Sequence, residues 1–100
     1  MPIADPEKHG VLFSRRASER LAEHALYIFD RTGDPDKADQ WLDAFRRGIG
    51  ENLLPFPELG RPVPELCPRC RKFVFREHTL IYLLREGTIF ILTIYRQNLP

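Results

Sequence analysis

Five of the nine prolines in this 100-residue chain fall between Pro55 and Pro68. Proline lacks an N–H to donate and holds φ near about −65°, so a segment this rich in it neither continues a helix nor joins a central strand. The run Leu54-Pro55-Phe56-Pro57-Glu58-Leu59-Gly60-Arg61-Pro62 is therefore a seam between two halves, and residues 55–70 are expected as an ordered connector. It carries Arg61 and leads into Arg69, Arg71, Lys72 and Arg76. Residues 1–50 hold eight Lys/Arg against nine Asp/Glu, residues 51–100 seven against five, and residues 61–76 alone five against one. With a formal net charge of only +1, the chain is not a polycation that coats nucleic acid or anionic lipid. A positive field this local suits a focused site, and no sequence-specific DNA binding is expected.

A length of 100 residues with 43% hydrophobic composition predicts a single domain over residues 1–100 with one two-layer core. No apolar run approaches a membrane span, and Met1 to Glu7 lack a basic, apolar secretory pattern, so a cytoplasmic location is expected. Both cysteines lie in Cys67-Pro68-Arg69-Cys70. A structural zinc site needs four ligands, and a redox pair is expected at a helix start, whereas this one sits in a proline-rich loop. Free loop thiols are the expectation, a facultative disulfide the alternative, with no metal or cofactor.

Residues 1–10, with two prolines and a glycine, read as a frayed lead-in, and Val11-Leu12-Phe13 as a short strand. Ser14 is placed to cap a helix that runs to Gly33, with Leu21, Ala22, Ala25, Ile28 and Phe29 on its apolar face. Asp34-Pro35-Asp36 restarts the chain as a second helix: a capping carboxylate, proline at the first position, and an acid at the positive dipole end. Its stripe is Ala38, Trp41, Leu42, Phe45, Ile49 and Leu53. Gly48 and Gly50 are its weak points, at roughly 1 kcal/mol each relative to alanine.

Three strands are expected after the seam, at 71–76, 79–85 and 88–95. The first alternates, with Phe73 and Phe75 on one face and Lys72, Val74 and Arg76 on the other. The other two are apolar on both faces and so central or covered. Glu86-Gly87 and Glu77-His78 mark the turns. The class is α+β with order β-α-α-β-β-β: an antiparallel sheet, the N-terminal helical hairpin (11–54 with its strand) on one face, and 71–96 as the three-stranded segment. No phosphate-binding glycine loop, Gly-x-Ser-x-Gly elbow or His-Glu-x-x-His helix is present, so nucleotide hydrolysis, serine hydrolysis and zinc proteolysis have no support.

Taken together, the strand, the Ser14-capped hairpin closed by Asp-Pro, the tryptophan-bearing second helix, Phe56 to Pro62, Tyr82 in an apolar strand and Ile91-Leu92-Thr93-Ile94-Tyr95-Arg96 resemble the ParE branch of the ParE/RelE toxin superfamily. The likeness covers about residues 11 to 99, and the Phe-Pro-Glu-Leu-Gly-Arg-Pro run is its most specific part. It implies a small bacterial toxin held inactive in a hetero-oligomer with a cognate, ParD-like antitoxin. ParE-like members poison DNA gyrase, whereas RelE-like members cleave mRNA on the ribosome.

Metal-independent RNA cleavage needs a base for the 2′-OH, cations for the phosphate and an acid for the leaving oxygen. Only Lys72 represents lysine in the second half, no terminal helix is expected before Pro100, and arginine is a poor base because it stays protonated. If the chain is a nuclease, Tyr82, Tyr95, Arg76 and Arg96 are the candidates, with His78 a further acid or base. If it acts by binding, Arg61, Arg71, Lys72, Arg76, Tyr82 and Arg96 are the target contacts, and Leu21, Ile28, Trp41 and Phe45 mark where an antitoxin helix lies. A third reading is a non-toxic module that keeps only antitoxin affinity. Against each stands a plain alternative: Arg61 pairing with Glu58 or Glu65, and the alternating cations forming a solvated strand face.

Overall fold

The computed structural model describes residues 10–96. The lead-in expected over 1–10, Gly10 apart, and the helix-free end expected over 97–100 lie outside the described residues. The elements are β1 (Val11–Phe13), α1 (Arg15–Thr32), α2 (Pro35–Leu53), β2 (Arg61–Pro62), β3 (Arg71–Phe75), β4 (His78–Arg85) and β5 (Thr88–Arg96). They form a five-stranded sheet of order β1-β5-β4-β3-β2. The α+β layering is as expected, but the sheet is mixed: β1 runs parallel to β5, with Val11 opposite Ile89. A long crossover through both helices is what lets the first strand enter parallel. The seam supplies a strand of its own, β2, which sits at the edge where proline's missing donor does no harm.

Both helices start and stop where short-range chemistry dictates. The Ser14 hydroxyl accepts from Ala17 N at 3.0 Å and donates to Leu92 O at 2.7 Å, so one side chain caps α1 and ties it to β5. Gly33 closes α1 at φ +68°. Asp34 accepts from Asp36 N at 2.9 Å, ahead of Pro35 in the first turn of α2. The inward face of α1 departs from expectation. Ala17 and Leu21 are buried, and His24, Ala25 and Ile28 half-buried, whereas Ala22 and Phe29 are exposed with Leu26 and Tyr27. The stripe follows a polar residue, His24, which apolar periodicity passes over.

The core joins Ala17 and Leu21 of α1, Phe45, Ile49 and Leu53 of α2, and Leu80, Tyr82, Ile89, Ile91 and Ile94 of the central strands. Each large side chain in it contributes about 1.5–3 kcal/mol by leaving water. A bulge lets this set share one face. Ile81 pairs with Thr93 but Tyr82 with Ile91, so Leu92 has no opposite number and the alternation of β5 changes phase. Ile89 and Ile91 before the bulge and Ile94 after it then all reach the helices. Gly48 is a fitted contact within this core: a Cβ there would run into the Phe75 ring.

The turn between β3 and β4 is centred on Arg76 and Glu77, at φ +49° and +68°, with His78 already in β4. Arg76 therefore leaves the strand face on which alternation put it. On the side of the sheet away from the helices, Val63, Cys70 and Ile81 form a second, smaller cluster with Cys67 and Leu92. Cys67 and Cys70 are joined as a disulfide rather than left as free thiols, because a turn in which Cys70 N donates to Cys67 O at 3.0 Å brings their Cα atoms to 5.1 Å.

Candidate functional site

The seam is held by two side chains that reach it from the sheet. The Tyr82 hydroxyl donates to Pro57 O and accepts from Gly60 N, both at 2.8 Å, while Arg71 donates to Gly60 O at 2.6 Å and Glu58 O at 3.2 Å. The backbone passes so close that a Cβ on Gly60 would lie 2.7 Å from Lys72 O and 2.8 Å from the Tyr82 ring. Only glycine fits there. Tyr82 is fully buried, and burial pushes its hydroxyl above the usual phenol range, against the lowering effect of the Gly60 N–H. Tyr82 thus spends its hydroxyl inside the molecule, and Arg71 one of its guanidinium nitrogens. Tyr82 offers no surface to a target or a substrate, contrary to the expectation from sequence.

Holding the seam in this way fixes Arg61 directly opposite Lys72 on β2 and β3. Cross-strand partners share a face, so the pairs Val74–Thr79 and Thr79–Tyr95 continue the same surface across β4 and β5. The result is a shallow cleft of about 500 Å³ lined by Leu59, Gly60, Arg61, Lys72, Phe73, Val74, Thr79 and Tyr95, with no acidic residue among them. Arg61 forms no ion pair among the described residues, so neither Glu58 nor Glu65 neutralises it. Arg61 and Lys72 can meet an anionic group at the mouth of this cleft, with the Tyr95 hydroxyl as an additional donor.

The other predicted residues lie elsewhere. Arg76 is in the β3–β4 turn with its guanidinium 5.1 Å from the Phe75 ring centre. Arg96, opposite His78, points to the helix side, where it lies 3.7 Å from Glu77 and over the Tyr27 ring. It closes a cleft of about 240 Å³ whose lining includes Arg20, Glu23, His24, Tyr27 and His78. His24 and His78 meet there edge to face with ring centres 4.9 Å apart, packed against Trp41 and, for His78, Phe45. Burial first, then the charges of His78 and Arg96, lowers the His24 pKa below its ordinary value, with Glu77 opposing. His78 Nδ1 lies 3.0 Å from Arg76 O, a contact that helps hold the tight turn. His24 was missed in sequence because nothing in local spacing brings residue 24 to residue 78.

The hairpin residues expected to receive an antitoxin divide in the same way. Leu21 and Phe45 are wholly buried core, and Ile28 and Trp41 half-buried, so the apolar surface the hairpin offers is Leu26, Tyr27 and Phe29 instead. Among the described residues no group of three or more His, Cys, Asp or Glu is arranged to hold a metal, and no helix is long and apolar enough to cross a membrane.

Residues 11–98 match the family model of the ParE toxin of the type II toxin-antitoxin system parDE. Among solved structures, a chain of the chromosomal ParDE TA system from P. aeruginosa aligns with a TM-score of 0.59 at 21% identity, over 87% of this chain and 94% of that one. At that identity the likeness speaks to the fold. No curated protein matches the chain significantly.

Proposed function

The chain belongs to the ParE toxin family, and from that premise we propose that it is a cytoplasmic toxin which acts by binding DNA gyrase and is neutralised in a complex with a cognate antitoxin. The observation that carries this reading is the composition of the basic face. Arg61 and Lys72 stand side by side on the sheet surface away from the helices, and none of the residues lining their cleft is a carboxylate or a histidine. His78, the neighbour of Thr79 along β4, is buried and belongs to the helix side of that strand. Of the two strand tyrosines a nuclease reading could use, Tyr82 is committed to Pro57 and Gly60, and Tyr95 stands in the cleft with no carboxylate or imidazole among the lining residues to partner it. A surface with cations but without an acid–base pair favours binding over strand cleavage. The exposed Leu26 and Phe29 on α1, one turn apart, suit the apolar side of an antitoxin helix laid along the hairpin.

Induction of the chain in a bacterial host tests the proposal. It predicts growth arrest with the DNA-damage response induced, intact mRNA, and relief when the antitoxin encoded beside it is co-expressed. Message cleavage at the ribosomal A site would replace this reading with the nuclease one. Harmless expression together with tight antitoxin binding would leave only the non-toxic module.

A further inference from the structure

The seam does more than fix Arg61: it displays apolar surface on a backbone held from below. Phe56 is 66% exposed and Leu59 49%, and Leu84 at the end of β4 is exposed beside them. Exposed apolar residues on a loop usually mean slack chain, but here Tyr82 and Arg71 fasten residues 57–60, and Leu59 N donates to Phe56 O at 3.0 Å. Two clefts adjoin across a wall of Pro57, Glu58 and Leu84. One, of about 460 Å³, is completed by Pro55, Phe56 and Leu59. The other, of about 280 Å³, contains Arg69 and Arg71.

We propose that this double cleft is where the protein target docks, receiving an extended segment in which an apolar side chain and a carboxylate stand close together. The inference rests on the reading that the target is a protein. The apolar side chain enters between Phe56, Leu59 and Leu84, and the carboxylate faces the two guanidinium groups. Arg69 has no ion pair among the described residues, and Arg71 uses one nitrogen on backbone carbonyls, leaving donors for an incoming carboxylate. Among the described residues Glu58 on the shared wall is the only acid in either cleft, so two cations outweigh it and an acidic segment is preferred over a basic one. Because the loop is already fastened, little conformational freedom is lost on docking, which is the condition under which a small patch yields useful affinity.

Substitution of exposed side chains tests the inference without disturbing the core. The full chain carrying Phe56→Ser and Leu59→Ser, and separately Arg69→Glu, would be compared with the wild type for melting temperature, antitoxin affinity, growth arrest and inhibition of purified gyrase. The expected result is an unchanged melt and antitoxin affinity, with about tenfold or more additional toxin needed for arrest and for gyrase inhibition, as for loss of an interface anchor. Wild-type-like arrest and inhibition by all variants would overturn the inference while leaving gyrase as the target. Loss of antitoxin affinity, of RNA binding or of self-association, with toxicity intact, would also overturn it, by assigning the surface to another occupant. Arrest that depends on Phe56 in a protein that leaves gyrase untouched would uphold the docking surface and remove gyrase as its partner.

Discussion

Both faces of the central strands β4 and β5 are built from the same alternating residues, yet the face under the helices buries Leu80, Tyr82, Ile91 and Ile94 with Leu21 and Phe45, while the opposite face buries a much smaller set around Val63, Cys70 and Ile81. The covered face gains its stability from two helices laid across it. On the other side, among the described residues, only the stretch from Val63 to the disulfide-closed turn packs on the sheet, and the remainder is left to Arg61, Lys72, Val74 and Tyr95. What the helices do not cover becomes available for recognition, and the prolines that end α2 decide how much that is. One face therefore answers to packing and the other to charge.

The sharpest way to break this contrast is to remove volume from the covered face. Phe45→Ala should destabilise the domain by about 3–5 kcal/mol, a large part of the roughly 5–15 kcal/mol available to a protein of this kind, as read from thermal and urea melts. Val63→Ala on the open side should cost far less, and equal losses would mean that the two clusters act as one core. Tyr82→Phe leaves Gly60 N–H and Pro57 O without their partner, so a loss of about 1–3 kcal/mol is expected, with faster amide exchange at Gly60. An unchanged melt and exchange rate would show that the seam is not held from the sheet.

Gly48→Ala sets helix propensity against packing. Propensity alone predicts a gain of roughly 1 kcal/mol, whereas the Phe75 ring occupies the space the methyl needs, and overpacking of about 1–3 kcal/mol should leave a net loss. A stabilised variant would mean that Phe75 moves aside at little cost. The smallest effect concerns pH. The His24 pKa is lower in the folded chain than in the unfolded one, so the unfolded state binds more protons in the window below about 6.5. Its contribution is complete above that pH and is lost as the pH falls toward the folded value. Stability should decline on acidification from neutrality, and His24→Gln should flatten that decline in melts recorded between about pH 7 and 5.

The parts legible in the sequence are those set by neighbours along the chain. Ser14, Gly33 and Asp34-Pro35 mark the helix ends by their own chemistry, and the apolar strands read as central because both of their faces are apolar. The bulge after Ile81 was not legible, since Leu92 looks like any other strand residue until Tyr82 takes Ile91 as its partner. The site shows the same division. Arg61 and Lys72 were legible as a local excess of charge, but Arg71 belongs to the same excess and turns one nitrogen to the seam's own backbone, where the neutral Tyr82 hydroxyl is engaged as well. Sequence does not show whether a polar group is already engaged. His24 and His78 meet across 54 residues, beyond the reach of any local pattern.

The central claim is that the uncovered basic face, and not the folded core, carries the toxin's action. Gyrase supercoiling measured with purified wild type and with the Arg61→Ala, Lys72→Ala double variant tests it most directly, because neither side chain supports the core and the melt should move by no more than about 0.5 kcal/mol. Dose-dependent inhibition by the wild type and its loss in the equally stable variant are expected. Inhibition of the same strength by both proteins would contradict it.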